Sequence, residues 1–251
     1  MKTALITGAA RRVGAGLALE LAAMGYAVAI HHRSDAEAAK ALAAAIVAAG
    51  GRAVALQADL STPQACGALM DAAARALGPV DTLVNNASHF AHDTVQTMTP
   101  ATWADAIAAN LTAPMFLIQA LARQLPADAS GVVVNILDQK VGRPNPDHFS
   151  YTAGKVGLAQ MIPALALALA PHIRVCGISP GITLPSGPQS DEDYRRAVAA
   201  TPLGVSSSVE ALRRALRFVL ESDAFTGQIL TLDGGESLLG RPRDVAYDES
   251  V

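Results

Sequence analysis

Tyr151 and Lys155 stand four residues apart in Tyr151-Thr152-Ala153-Gly154-Lys155. On an α-helix this spacing puts the phenol and the ammonium on one face, where a cation can lower a phenol pKa from ~10 toward neutrality. A phenol tuned in that way is a general acid. Upstream, the chain opens with a strand pattern that runs into Thr7-Gly8-Ala9-Ala10-Arg11-Arg12-Val13-Gly14. A glycine-bracketed turn of this kind receives the phosphates of a dinucleotide on free amides at a helix N-terminus. The two features together predict redox chemistry on a bound nicotinamide, whereas Tyr-x-x-x-Lys alone is equally what a surface helix pair would give.

The elements that must carry these residues alternate along the chain. Strand patterns occur at Lys2–Thr7, Tyr26–His31, Arg52–Gln57, Thr82–Asn85, Gly131–Leu137, Ile173–Ile178 and Gln228–Leu232, with helical patterns between them. Such alternation predicts a single α/β domain over 1–251, a doubly wound parallel sheet of seven strands with helices on both faces. One helix should span Ser34 to Ala49, capped by Ser34 and stopped by Gly50-Gly51. Pro163 falls inside the helix that carries Tyr151 and is expected to bend its last turns, downstream of the motif. Between 180 and 200 the composition shifts to Pro, Gly, Ser and Thr and then to Asp191-Glu192-Asp193, which predicts a mobile substrate loop. A polar tail follows from about 240 to 251.

Composition narrows the partners. The 251 residues are 51% hydrophobic, and 19 basic against 22 acidic residues give a net charge of −3. No basic run tracks a phosphate backbone, so nucleic acid is not expected as a partner. The densest apolar stretch, 161–171, is shorter than a bilayer span, and the first strand begins at once after Met1-Lys2; both point to a soluble, cytoplasmic protein. Cys66 and Cys176 lack the spacing of a disulfide framework or a metal site. His89, His92 and His148 supply no coherent ligand set, so no metal is expected. Trp103 reads as packing at a helix start.

The end of the second strand distinguishes the two nicotinamide cofactors. An NAD site usually places a carboxylate about 20 residues past the glycine turn to hold the ribose 2′-hydroxyl. Here that place holds His31-His32-Arg33-Ser34, which suit a 2′-phosphate and bring no carboxylate to repel it, so NADP(H) is expected. Arg12, at the middle position of the glycine turn, can reach a phosphate or an anionic edge of the substrate.

The chain resembles the short-chain dehydrogenase/reductase family over nearly its whole length. The resemblance is carried by Thr7-Gly8 through Gly14, Asp59-Leu60, Asn85-Asn86-Ala87-Ser88, Asn110, Tyr151-x-x-x-Lys155 and Pro180-Gly181, in that order. It implies a Rossmann-type fold and a cofactor site built from Gly8, Arg11, Arg12, Val13 and Gly14, from His32, Arg33 and Ser34, from Asp59 and Leu60 at the adenine, and from Asn86, Ala87 and Ser88. Pro180, Gly181 and Thr183 would lie by the pyrophosphate, and Tyr151 and Lys155 by the ribose. Asn110 would steady a water-mediated proton path to Lys155, although a buried Asn also serves as a structural hub. Family members are commonly homotetramers.

Within the family the details are similar to pteridine reductases and to the related dihydromonapterin and dihydrofolate reductases. Four features carry this narrower likeness: the Arg of the glycine turn, His32-Arg33-Ser34, Asn86-Ala87-Ser88-His89-Phe90, and Asp138 in Asn135-Ile136-Leu137-Asp138, where most of the family has Ser. A carboxylate beside the proton donor would repel a developing alkoxide, so Asp138 argues against an ordinary ketone substrate. The resemblance implies an NADPH-dependent reductase of a small pterin-like molecule. Asp138 and Tyr151 would deliver the proton, Phe90 would stack on the flat ring, and Ser88 and Arg12 would complete a polar rim. The residues leave open a plain strand-end cap for Asp138 and pocket-wall packing for Phe90. A carbonyl reductase of the same family and a non-catalytic NADP(H)-binding protein are the alternatives. Arg241 is expected near a neighbouring subunit's site.

Overall fold

The computed structural model describes residues 1–185 and 189–247. Residues 186–188 of the expected substrate loop and 248–251 of the tail lie outside the described residues.

β1 (Thr3–Ile6) enters the glycine turn and α1 (Arg12–Ala23), then β2 (Ala27–His32), α2 (Ala36–Ala48), β3 (Arg52–Gln57), α3 (Pro63–Leu77) and β4 (Thr82–Asn85). α4 (Pro100–Ile107) and α5 (Ala113–Gln124) lead to β5 (Gly131–Ile136), α6 (Phe149–Leu169) and β6 (Ile173–Pro180). α7 (Asp191–Ala199), α8 (Val209–Glu221) and β7 (Ile229–Leu232) complete the main body. The seven strands form one parallel sheet in the order β3-β2-β1-β4-β5-β6-β7. Strands covered on both faces read as near-continuous apolar runs, and β1, β2, β4 and β5 are buried at every position, with polar His31, His32, Asn85 and Asn135 toward their C-terminal ends.

Two cores follow, one on each face. Leu17 and Leu21 of α1, Ile46 of α2 and Leu216 and Val219 of α8 pack on one face against Ile6, Ile30 and Val134. On the other, Leu69 and Met70 of α3, Leu117 and Leu121 of α5 and Leu158 and Ile162 of α6 pack against Leu5, Leu83 and Val133. The two cysteines are buried in opposite cores, and burial pushes each thiol up to about 11. They are inert thiols.

Several boundaries differ from the sequence reading. The N-cap of α2 is Asp35, not Ser34, and Asp35 forms an ion pair with Arg11 at 3.3 Å. The predicted stop holds, because Gly50 takes φ +88 and its N–H and that of Gly51 bond to Val47 O and Ile46 O. α6 runs on through Pro163 to Leu169. The stretch 180–200 is not a loop throughout: Asp191-Glu192-Asp193 is the first turn of α7, where Ser190 and Asp193 form a capping box and three carboxylates face the positive helix end. Helical runs 100–124 and 149–169 are long and apolar enough to cross a bilayer, contrary to the expected shortness of the apolar stretch. Here α5 and α6 bury Leu117, Ile118, Leu121, Leu158 and Ile162 in the core instead.

Candidate active site

The strand order reverses between β1 and β4, and ligands of open parallel sheets bind in the crevice outside the strand ends at that point. The two lips are stitched together. Asn86 Nδ2 donates to Thr7 O and Gly8 O, both at 2.9 Å, while the N–H groups of Asn86 and Ala87 donate to Thr7 Oγ1. Gly8 takes φ +59, and a Cβ there would lie 2.8 Å from Ala87 Cα; a Cβ on Gly14 would lie 2.5 Å from Gly8 O. Both glycines are therefore demanded by close backbone approach, and Gly8 by its conformation as well.

His31, at the end of β2, has a role its sequence position does not specify. Its Nδ1 accepts from the N–H of Gly8 at 3.1 Å and its Nε2 lies 3.1 Å from Ala58 O. Burial lowers its pKa to about 4, so the ring is neutral, with the proton on Nε2. A His at the end of a strand carries no signal of such a role in sequence. Arg12 holds φ +55, which explains why glycine is usual at this turn position; its guanidinium donates to Pro185 O at 2.9 Å, tying the turn to the loop before α7.

The residues present fit a phosphorylated dinucleotide. Arg11, the N-cap of α1, makes no side-chain cap, which leaves first-turn N–H groups for an anion. At the end of β2, His32 Nδ1 is buried without a hydrogen-bond partner among the described residues, and Arg33 and Ser34 are exposed beside it. Asp35 follows at once, contrary to the carboxylate-free reading of this corner, but its charge is met by Arg11. Asp59 accepts from the Ser61 N–H and Leu60 packs against the second core, so both sit at the β3 end.

A cleft of about 840 Å³ opens over the C-terminal ends of β4, β5 and β6. It collects Arg12, Val13, Asn86, Ser88, Phe90, Asp138, Tyr151, Lys155, Pro180, Gly181 and Thr183 from the predicted site. Gly8, Arg11, Gly14, His32, Arg33, Ser34, Asp59, Leu60 and Ala87 do not line it. Thr183 Oγ1 is committed to Gly181 O at 2.9 Å and to Ser207 Oγ.

Asp138 begins a short 3₁₀ turn (139–141) after β5, where its carboxylate meets both the turn and the Tyr151 phenol. Oδ1 caps the turn by accepting from Lys140 N at 2.9 Å, and Oδ2 accepts from the Tyr151 hydroxyl at 2.8 Å. Ser179 Oγ donates to its carbonyl at 2.7 Å, fixing the backbone. This arrangement overturns the expectation that Lys155 brings the phenol toward neutrality. Burial first, and then the adjacent Asp138 carboxylate, push Tyr151 well above the ordinary phenol value, so the phenol keeps its proton. Lys155 lies over the Tyr151 ring, its Nζ 5.8 Å from the centroid, but it spends a hydrogen bond elsewhere: Nζ donates to Ile136 O at 2.7 Å, and burial lowers its pKa to about 8.

Asn110 lies behind the cleft, fully buried, in a π-helical turn (108–112) that separates α4 from α5. Its Nδ2 donates to His89 O and Ala106 O, and its Oδ1 accepts from Ser88 Oγ at 2.9 Å. It grips the loop that carries Ser88 and Phe90, the structural-hub alternative. Gly154, inside the Tyr-x-x-x-Lys motif, allows this close fit: a Cβ there would lie 2.9 Å from Asn110 Cβ. Phe90 stacks one face on His148 at 3.9 Å and sets an edge against Tyr151 at 4.7 Å, yet remains 46% exposed.

A model of the family described as short chain dehydrogenase matches residues 2–195. The chain belongs to that family. A solved structure of FolM alternative dihydrofolate reductase 1 from Brucella canis, complexed with NADP, superposes with a TM-score of 0.89 at 40% identity over 94% of each chain. Pteridine reductase 1 of Leishmania tarentolae is 34% identical over 94% of this chain and 96% of its own length. A 3-oxoacyl-[acyl-carrier-protein] reductase of Staphylococcus aureus is 29% identical over 93% and 97%. This short chain dehydrogenase holds Arg241 on Glu236 Oε1 at 2.9 Å and Ala200 O at 2.8 Å, where it lines the cleft of its own chain.

Proposed function

We propose that this short chain dehydrogenase is an NADPH-dependent reductase of dihydropterin substrates, dihydrofolate included. The observation that carries the reading is the 2.8 Å hydrogen bond from Tyr151 to Asp138 Oδ2. A developing alkoxide would meet the negative charge of Asp138, whereas a pterin offers amino and ring N–H groups that a carboxylate can accept. Tyr151, held protonated by burial and by that carboxylate, is the donor on the substrate side. The open face of Phe90 offers a platform for a flat heterocycle, worth about 0.5–1.5 kcal/mol beyond area burial.

NADPH supplies the hydride. His32, Arg33 and Ser34 would hold its 2′-phosphate, the first turn of α1 its pyrophosphate, and Lys155 its ribose hydroxyls. Ser88, fixed by Asn110, and Arg12, fixed on Pro185, would border the substrate. The NADP complex of the Brucella canis protein and the pteridine reductase of Leishmania tarentolae support this reading. A homotetramer in the cytoplasm is part of the same proposal.

The test is NADPH oxidation by the purified protein against dihydrobiopterin, dihydromonapterin, dihydrofolate and a panel of small ketones. Turnover of a dihydropterin that disappears in Tyr151→Phe and in Asp138→Ala supports the reading. Activity confined to ketones rejects it in favour of a carbonyl reductase, and NADPH binding without any turnover rejects both.

A further inference from the structure

The far end of the cleft is walled by the chain's own C-terminal segment, which nothing in the local sequence pattern anticipates. Asp147, fully buried, accepts two hydrogen bonds from Arg243, from Nε at 2.8 Å and Nη2 at 2.7 Å, and a third from the Asp244 N–H at 2.8 Å. Asp244 is itself spent on holding the tail: its Oδ2 meets the buried Lys140 ammonium at 2.6 Å, its Oδ1 accepts from Ala246 N, and its carbonyl accepts from Tyr247 N. A two-pronged guanidinium–carboxylate contact beside a buried ion pair fixes direction as well as position.

This clamp seats the Tyr247 ring 4.4 Å from His92 and 5.8 Å from His148, centroid to centroid. His148 in turn carries Phe90, and Phe90 touches Tyr151. A continuous row of rings therefore runs from the proton donor to the tail, and all five line the cleft. The end near Tyr151 is reserved for the reacting heterocycle, so the end near Tyr247 faces whatever projects from it.

We propose that Tyr247 is a specificity-determining residue that contacts the substituent carried by the reduced heterocycle, and that Arg243, Asp147 and Asp244 are positioning residues that act through it. The inference rests on the pterin-reductase reading. It adds that discrimination between substituted and unsubstituted substrates resides in the last described turn of the chain, within one subunit.

The experiment compares kcat/KM for dihydrobiopterin and dihydrofolate with that for 7,8-dihydropterin, which bears no substituent, in the full-length wild type and in Tyr247→Ala, Tyr247→Phe and Arg243→Ala. Loss of one aromatic contact predicts that the substituted-to-unsubstituted ratio falls about fivefold in Tyr247→Ala, chiefly through KM. Arg243→Ala should lower the ratio in the same direction and speed hydrogen exchange at the amides of 244, 246 and 247. Tyr247→Phe, which keeps the ring, should retain the wild-type ratio. A ratio unchanged in Tyr247→Ala, or equal losses on both kinds of substrate, overturns the proposal while leaving the reductase reading intact. A wild type that turns over no pterin removes that reading and the subsite with it.

Discussion

The Tyr151 hydroxyl donates to Asp138 Oδ2 at 2.8 Å while Lys155, one helical turn on, donates to the carbonyl of Ile136. The proton on the phenol is therefore held by a carboxylate. Asp138→Asn removes the charge but keeps the shape. The Tyr151 pKa should fall, yet stay raised from the ordinary phenol value, because burial is the larger cause of its elevation. Catalysis of dihydropterin reduction should drop by about 10²-fold. Ultraviolet titration of the phenol and steady-state kinetics on the same sample check both; an unmoved titration would show that the carboxylate does not govern the phenol.

Gly154→Ala should injure the site from behind. The added Cβ would lie 2.9 Å from Asn110 Cβ and 3.4 Å from Ala106 O, in a place with no room to yield. Overpacking of this kind costs about 1–3 kcal/mol. Thermal unfolding should register that loss, and kcat/KM should fall with it, because displacing Asn110 releases Ser88 and His89.

Arg12→Gly separates strain from grip. A side chain at φ +55 costs about 1–2 kcal/mol, which glycine does not incur. The exposed bond to Pro185 that is lost is worth less, so denaturant unfolding should show a gain of about 0.5–1 kcal/mol. The KM for substrate should rise, since the loop before α7 loses its tie to the glycine turn.

His31 sets a pH dependence of stability. Its folded pKa, about 4, lies below the unfolded 6.5, so on acidification the unfolded chain gains a proton that the native chain refuses. Stability is full above pH 6.5 and declines between 6.5 and 4, by up to roughly 3 kcal/mol from this ring. His148, lowered in the same direction by burial, adds to the slope. Urea unfolding of His31→Gln at pH 7, 5.5 and 4.5 should show a shallower decline than the wild type; an identical decline would mean the imidazole is not held neutral.

The sheet was legible because buried parallel strands leave continuous apolar runs, and the positions of Gly8, Gly14, Asp138, Tyr151 and Lys155 follow from those runs. What the chain did not announce depends on contacts distant in sequence. Asp138 is expected beside Tyr151, but the depth of burial depends on packing from the whole fold, and burial together with that carboxylate sends the phenol pKa up rather than down. Ser34 and Asp35 are both good caps, and only the path of the backbone chose Asp35. The acidic run at 191–193 looked like loop composition, although the same residues complement a helix N-terminus. His31 and the seating of Arg243 on Asp147 join positions 23 and 96 residues apart from their partners.

The π turn at 108–112 also sets a limit on how this chain can change length. One extra residue per turn rotates everything after it by about 100° relative to a plain helix. Ala113, Pro114, Leu117, Ile118 and Leu121 face the core only because of that rotation. Excising a single residue from 108–112 would restore an ordinary helix, swing this apolar face toward solvent and carry Asn110 away from Ser88. The segment behaves as a phase-locked gear, whose register a single deletion would break.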